Sequence, residues 1–383
     1  MLPVSFSHRC WAEIDLDALR SNLAWLRHRI GPECSLMTVV KADAYGHGLR
    51  QIAALLMQAG TDIFGVANLN EARNIRAVGR GWPILMLGAC LPDETERAIK
   101  DNVMPTLSTS EEARRFSRMA RKLKRTVSAH VKVDTGMGRL GAPPEQMPAL
   151  LDEIKRLPNL NAVGLYTHYA DGENDATFTR KQRTQFQRLA KQLTAAGHHF
   201  SHFHANNSAA LLHEPQSMHN LVRPGLLVYG VLPSGRRRPA AALKRHLHPA
   251  LAWKCRISLI KEIPKGTTLS YGRSYIAQRR MRVATLTAGY GDGYLRSAHR
   301  EARVLIGGKQ CPILGCITMD QMLADVSRVQ TPNPGDEATL IGHQGKMEIS
   351  ANQLSQWAST VPWETLTAIT HRVPRLYRGD QAA

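Results

Sequence analysis

The chain has 383 residues, 43% of them hydrophobic and 21% charged, which gives enough apolar volume for full cores and excludes a disordered, collagen-like or disulfide-stapled chain. Its formal charge is +19, from 50 Lys and Arg against 31 Asp and Glu. That excess permits attraction to polyanions, but the basic residues are spread out. The local runs at 121–125 and 236–238 carry no aromatic RNA-binding pattern, so they read as a solvated basic face with no specific nucleic-acid partner. No apolar run approaches the ~18 residues of a membrane-spanning helix, and no membrane association is expected. The first ten residues, Met1 to Cys10, lack a basic start, an apolar stretch and a cleavage site, so a cytoplasmic protein is expected. Six scattered cysteines without C-x-x-C spacing (Cys10, Cys34, Cys90, Cys255, Cys311, Cys316) read as free thiols, and no metal centre is assigned.

In chain order, short apolar segments alternate with longer amphipathic ones. Strands are expected at 36–41, 62–68, 83–89, 104–108, 127–134, 161–169, 200–206 and 219–224, with helical spacing at 48–59, 69–78, 109–123, 143–156 and 176–196. Eight strands alternating with helices predict an N-terminal (β/α)8 TIM-type barrel. Between Pro233 and Pro249 the composition turns to Pro, Gly, Arg, Ala and His, which reads as a linker. Beyond it come β-type runs at 256–260, 282–286 and 338–341 broken by glycine-rich turns, with weak helical spacing near 350–357 and 364–370. The reading is therefore a barrel over 1–240, its first ten residues or so being candidates to pack on the second domain, and a mainly β-strand C-terminal domain over 241–383.

Reactive residues of such a barrel lie at the carboxyl ends of its strands. That rule selects Lys41, the segment Asp134 to Arg139, His168, Asn207, Ser208, Arg223 and Gly225. An amine, an imidazole, a guanidinium and a hydroxyl beside glycine backbone suit a phosphorylated aromatic cofactor held through an imine. Each alone also reads blandly: Lys41 as a surface lysine, His168 as a core histidine, Arg223 as a salt-bridge partner.

The wording of several segments is more specific. They are Trp-Ala-Glu-Ile-Asp-Leu-Asp-Ala-Leu at 11–19, Val-Val-Lys-Ala-Asp-Ala-Tyr-Gly-His-Gly at 39–48, Lys-Val-Asp-Thr-Gly-Met-Gly-Arg-Leu-Gly at 132–141 and Asn-Ser-Ala-Ala at 207–210. Arg-Pro-Gly-Leu at 223–226, Leu-Ser-Tyr-Gly at 269–272, Gly-Tyr-Gly-Asp-Gly at 289–293, Thr-Met-Asp at 318–320 and Arg-Val-Pro-Arg at 372–375 follow in order. Over essentially its whole length the chain resembles the alanine racemases, pyridoxal-phosphate enzymes that interconvert L- and D-alanine and supply D-alanine for peptidoglycan.

The resemblance implies that Lys41 carries pyridoxal phosphate and then acts as one acid/base, with Tyr271 as the second on the opposite face. Free Lys and Tyr titrate at about 10.4 and 10, so both need positive charge or desolvation to work near neutrality. By the same resemblance Arg223 faces the cofactor's ring nitrogen, and His168 packs by the ring and can link Arg223 to Tyr271. Tyr45, Asn207, Ser208, Gly225 and Leu226 fall on cofactor-site positions. Arg139 and the backbone of Met319 handle the substrate carboxylate with Asp320 nearby, Tyr290 lines the entrance, and Lys132 is a position that can carry a carbamate. A homodimer is implied, each site combining one subunit's barrel with the other's β domain.

Two positions depart from the family pattern. Trp363 stands before Glu364 where a tyrosine reaching the cofactor phosphate is usual, and Thr318 replaces Cys or Ser. An alanine racemase with altered turnover or side-chain tolerance is the expectation. A racemase of serine or of broader specificity, or a non-catalytic pyridoxal-phosphate-binding protein of the same fold, are the alternatives.

Overall fold

The computed structural model describes residues 8–213, 219–237, 243 and 245–379. Parts of two expectations, the leaderless amino terminus at 1–7 and the linker at 238–242 and 244, lie outside the described residues.

The first strand, β1 (Cys10–Asp15), leads directly into the helix Leu16–Ile30. Asp15 caps that helix by accepting the Ala18 N–H at 2.9 Å, and Gly31 ends it at φ 78°. Its buried face, Leu16, Leu19, Leu23 and Leu26, recurs at three- and four-residue steps. On the same face Asn22 spends its amide on the carbonyls of Val228 and His248 and accepts the His248 N–H, tying the helix to the end of the linker.

Eight parallel strands follow: β2 (Ser35–Val39), β3 (Ile63–Val66), β4 (Ile84–Met86), β5 (Thr106–Leu107), β6 (Val127–Lys132), β7 (Leu160–Tyr166), β8 (His202–His204) and β9 (Leu221–Val222). They pair in the orders β4-β3-β2-β9 and β5-β6-β7-β8. A parallel bridge between Leu85 and Met104 joins the two groups on one side, and the Arg223 N–H donates to the Asn206 carbonyl at 2.9 Å on the other. The (β/α)8 barrel is thereby closed. Each expected strand overlaps one of these; β2 and β7 begin one residue earlier than expected, and all eight end sooner, where the chain leaves the ladder to form the loops of the barrel mouth.

The barrel interior is divided. Met37, Ile63, Leu85 and Leu221 fill one half with hydrocarbon. On β6, β7 and β8 the positions of inward parity carry His130, Lys132, Gly164, Tyr166, His202 and His204 instead. Gly164 is required there: a Cβ at that position would overlap the His130 ring.

Beyond the linker the chain forms the mainly β domain. Its long strand β10 (Leu251–Ile263) pairs with β1, with β13 (Met281–Leu286) and with β17 (Glu337–Gln344). A bulge between Ile257 and Leu259 lets β10 change partners along its length. β1 sits between β10 and the last strand, β19 (Arg375–Arg378), so residues 10–15 belong to this sheet. A hairpin of β11 (Thr268–Leu269) and β12 (Tyr275–Ile276) projects from the sheet, footed in a small core of Ile263, Leu269, Ala277, Met281, Val283 and Leu314.

Candidate active site

The mouth of the barrel holds a cavity of about 370 Å³. Of the residues singled out from sequence, Lys41, Tyr45, Lys132, Arg139, His168, Asn207, Ser208, Arg223, Gly225 and Trp363 all line it.

Lys41 opens a single left-handed turn, Lys41–Gly46, in which Ala42, Asp43, Ala44 and Tyr45 have φ of 52–55°. Four successive L-residues in that region are strained, and the surroundings hold them there. Ala42 N–H donates to Glu71 at 2.8 Å, Asp43 accepts the Leu49 N–H at 2.7 Å, Arg375 donates to the Gly46 carbonyl at 2.9 Å and Tyr377 to that of His47 at 3.0 Å. The turn aims the Lys41 amine into the cavity, where burial and then Arg139 lower its pKa.

At one end of the cavity Tyr45 lies against Gly225 so closely that a Cβ there would overlap its hydroxyl. The Ser208 hydroxyl accepts the Gly225 N–H at 2.9 Å, and Asn207 caps the short helix Ser208–His213 through the Ala210 N–H. Trp363, from the helix Pro362–Thr367, lies by the Tyr45 side chain, where its indole N–H, a donor only, works against the upward push of burial on the tyrosine's pKa. Two hydroxyls and close-approaching backbone make this end a cradle for a phosphate. Leu226 does not line the cavity; it is fully buried at the start of the helical turn Leu226–Tyr229.

Another part of the wall is cationic. Arg223, 3% exposed, donates to His204 Nδ1 at 2.6 Å, to the carbonyls of Thr167 and Ala205 at 2.8 and 2.9 Å, and toward His168 Nδ1 at 3.3 Å. No carboxylate is among these partners, and burial pulls its pKa down to about 10. A guanidinium has no lone pair to accept with, so both histidines present unprotonated Nδ1 atoms to it. His204 is then an Nε2–H tautomer that donates to His130 Nδ1 at 2.7 Å. Burial and Arg223 hold His168 and His204 neutral, well below the usual histidine range.

Tyr166 stacks on His204 with ring centres 4.5 Å apart, and Arg223 and Lys132 both lie over its ring. Lys132, 3% exposed, is brought down to about 8 by burial, then by Arg223 and Arg139, against Asp134. Asp134 turns the chain toward Arg139 by accepting the N–H groups of Gly136, Met137 and Gly138. Sequence reading passed over His130, Tyr166 and His204. Their signal is strand parity: His130 and Tyr166 lie two residues before Lys132 and His168, and His204 two before Asn206.

The remaining residues singled out from sequence do not enter this cavity. Tyr271, Met319 and Tyr290 stand on the β domain with exposures of 74, 52 and 42%. The N–H groups of Tyr290 and Gly291 donate to the carbonyls of Thr318 and Met319, and Asp320 pairs with Arg372 at 2.8 Å.

Family models for the alanine racemase N-terminal domain and C-terminal domain match residues 14–233 and 250–377. An alanine racemase of Carboxydothermus hydrogenoformans is 39% identical over 368 residues, covering 96% of this chain and 99% of that protein. One from Symbiobacterium thermophilum is 39% identical over 373 residues, 97% of this chain and 98% of its own. Among solved structures, alanine racemase from Clostridium difficile superposes with a TM-score of 0.91 at 32% identity, covering 98% of this chain and 97% of that one. The enzyme from Bartonella henselae, described with covalently bound pyridoxal phosphate, superposes at 0.87 with 27% identity, covering 97 and 100%.

Proposed function

The chain belongs to the alanine racemase family, a family of pyridoxal-phosphate-dependent isomerases, and we propose that it interconverts L- and D-alanine with Lys41 and Tyr271 as the two proton carriers. The observation that carries the reading is the joint placement in one cavity of the Lys41 amine, the cradle of Tyr45, Ser208 and Gly225, and the carboxylate-free Arg223. That donor set fits pyridoxal phosphate. When bound, the cofactor supplies a carbonyl carbon for an imine and a conjugated ring that accepts the Cα electron pair.

The residues then divide the work. Tyr45 and Ser208 offer hydroxyls to the phosphate. Arg223 presents N–H donors to the ring nitrogen, and as a guanidinium it keeps its proton, which limits the charge the ring stores and discourages transamination. Lys41 Nζ, lowered in pKa by burial and Arg139, takes or returns the Cα proton on one face. Tyr271 Oη does so on the other. One C–H bond breaks and one forms, so each turnover exchanges the protonation of the two groups. Arg139 and the Met319 backbone bind the carboxylate, with Asp320 beside them, and Tyr290 narrows the approach.

The exposed Tyr271 and Met319 reach a barrel only if a second copy presents them, so the reading includes a homodimer with shared sites. Six cysteines, none of them in a disulfide, suit a reducing cytoplasm, and D-alanine for peptidoglycan is the product the reading assigns. Among the described residues no helix is long and apolar enough to cross a membrane.

Trp363 favours a widened or shifted side-chain range as a second reading, because its indole meets Tyr45 at the cavity wall. Incubation of the holoenzyme with L-alanine in deuterated water should yield D-alanine carrying Cα deuterium, and Lys41→Ala should abolish both. Failure of both in the parent enzyme overturns the assignment to alanine. Serine run in parallel, with Trp363→Tyr for comparison, should give different alanine-to-serine ratios for the two proteins; equal ratios remove Trp363 from specificity.

A further inference from the structure

The five residues that join β11 to β12, Ser270 to Ser274, include three with positive φ: Ser270 at 63°, Gly272 at 65° and Arg273 at 50°. Ser270 is the unusual one. With ψ at 178° it occupies a region that is essentially reserved for glycine, and it directly precedes Tyr271. A side chain held in such a conformation must be fixed by its surroundings.

The fixing groups are two hydroxyls on either side of the tyrosine. Ser270 Oγ donates to the Cys316 carbonyl at 2.8 Å, and the Cys316 N–H donates to Ser274 Oγ at 3.1 Å. The loop thus clasps both backbone polar groups of one residue. The clasp closes over Gly315, where a Cβ would lie 2.7 Å from Ser270 Cβ and 3.1 Å from Ser274 Oγ. Three residues beyond Cys316 the same segment presents Met319, so the clasp also sets Tyr271 in register with that group. Leu269, buried in the small core beneath, anchors the near foot of the hairpin. Tyr271 itself has no such packing and stands 74% exposed; its direction is set by the backbone that carries it.

We infer that Ser270 is a positioning residue for the proton transfer at Tyr271, its hydroxyl locking a backbone conformation that glycine would visit freely but not hold. The inference rests on the reading of Tyr271 as a proton carrier. Alanine at 270 keeps the strain and loses the lock, so the loop relaxes toward negative φ and the tyrosine swings. Glycine relieves the strain and loses the lock as well.

The test compares Ser270→Ala, Ser270→Gly and Tyr271→Phe holoenzymes with the parent, using alanine deuterated at Cα in each enantiomer. Both Ser270 variants are expected to lose about 10- to 100-fold in kcat, the cost of an ångström-scale misplacement. Their primary isotope effect should rise for one enantiomer only, the one whose proton Tyr271 removes, because the Lys41 side is untouched. Parent-like rates, or equal changes for both enantiomers, overturn the inference. If Ser270→Ala fails to fold, Ser270→Gly carries the test, since it removes the strain. Tyr271→Phe separates the two levels: parent-like activity there overturns the proton-carrier reading, whereas its loss beside active Ser270 variants overturns the Ser270 inference alone.

Discussion

At Lys132 burial and charge act in the same direction. Its amine lies over the Tyr166 ring, with Arg223, Arg139 and Lys41 acting on it and only Asp134 opposing them, and the balance brings its pKa to about 8. A neutral lysine amine attacks carbon dioxide, forming a nitrogen–carbon bond and releasing one proton, and the resulting anion would sit among those cations. We expect a lysine carbamate in protein equilibrated with ¹³C-bicarbonate. Because the neutral amine is the reactive form, its ¹³C resonance should grow as pH rises through about 8, and Lys132→Ala should lack it. That variant should also lose roughly tenfold or more in kcat/KM, the worth of a charge-assisted hydrogen bond to Arg139. Absence of the resonance at pH 9 removes the carbamate. Arg223 was legible in the sequence because the strand-end rule finds it, and Lys132 because its segment at 132–141 resembles the family pattern. The hydrogen bonds from Arg223 through His204 to His130 were not, because His130 and His204 are spoken for by partners on other strands, and spacing along one strand says nothing of those.

The left-handed turn Lys41–Gly46 shows the same limit for an element. The sequence carries no mark of it: Ala-Asp-Ala-Tyr contains no glycine, and local preference favours a right-handed helix there. The turn exists because Glu71 from one helix and Arg375 and Tyr377 from the last strand hold it, two distant parts of the chain. Ala42 is exposed and sits at φ 52°, so Ala42→Gly removes strain without removing packing. It should stabilise the apoprotein by about 1 kcal/mol, read from urea unfolding; a loss of stability would show that the turn is not strained at that position. The barrel strands were legible because apolar runs of strand length bounded by turn residues need no distant partner to be recognised. The helix Ser208–His213 gave no such signal, since Ala209, Ala210, Leu211 and Leu212 are all buried and leave no periodic face.

For the whole molecule, the charge excess has a structural use. Arg29, Arg76, Arg125, Arg282 and Arg375 spend their donors on backbone carbonyls of neighbouring loops. Such bonds hold loops in place and neutralise nothing, so a chain that relies on them keeps its positive charge. The division of the site residues between a buried cavity and an exposed β-domain surface has a testable counterpart in assembly. Lys41→Ala and Tyr271→Phe proteins, each inactive, should regain activity when denatured together and refolded. Random pairing makes about half the dimers mixed, each with one intact site, so about a quarter of parental activity is expected. No recovery, with mixed dimers demonstrated by tagged copies, would place both groups in one subunit's site.

Strand β1 leaves the ribosome before the barrel does, yet it lies between β10 and β19, and β19 ends the described chain at Arg378 and Gly379. Throughout translation of the barrel its backbone groups therefore lack their sheet partners, while Trp11, Ala12 and Ile14, buried in the finished protein, remain open to other nascent chains. The barrel and the β domain are thus sewn together late, when β10 and β19 arrive to take up a strand made before the barrel.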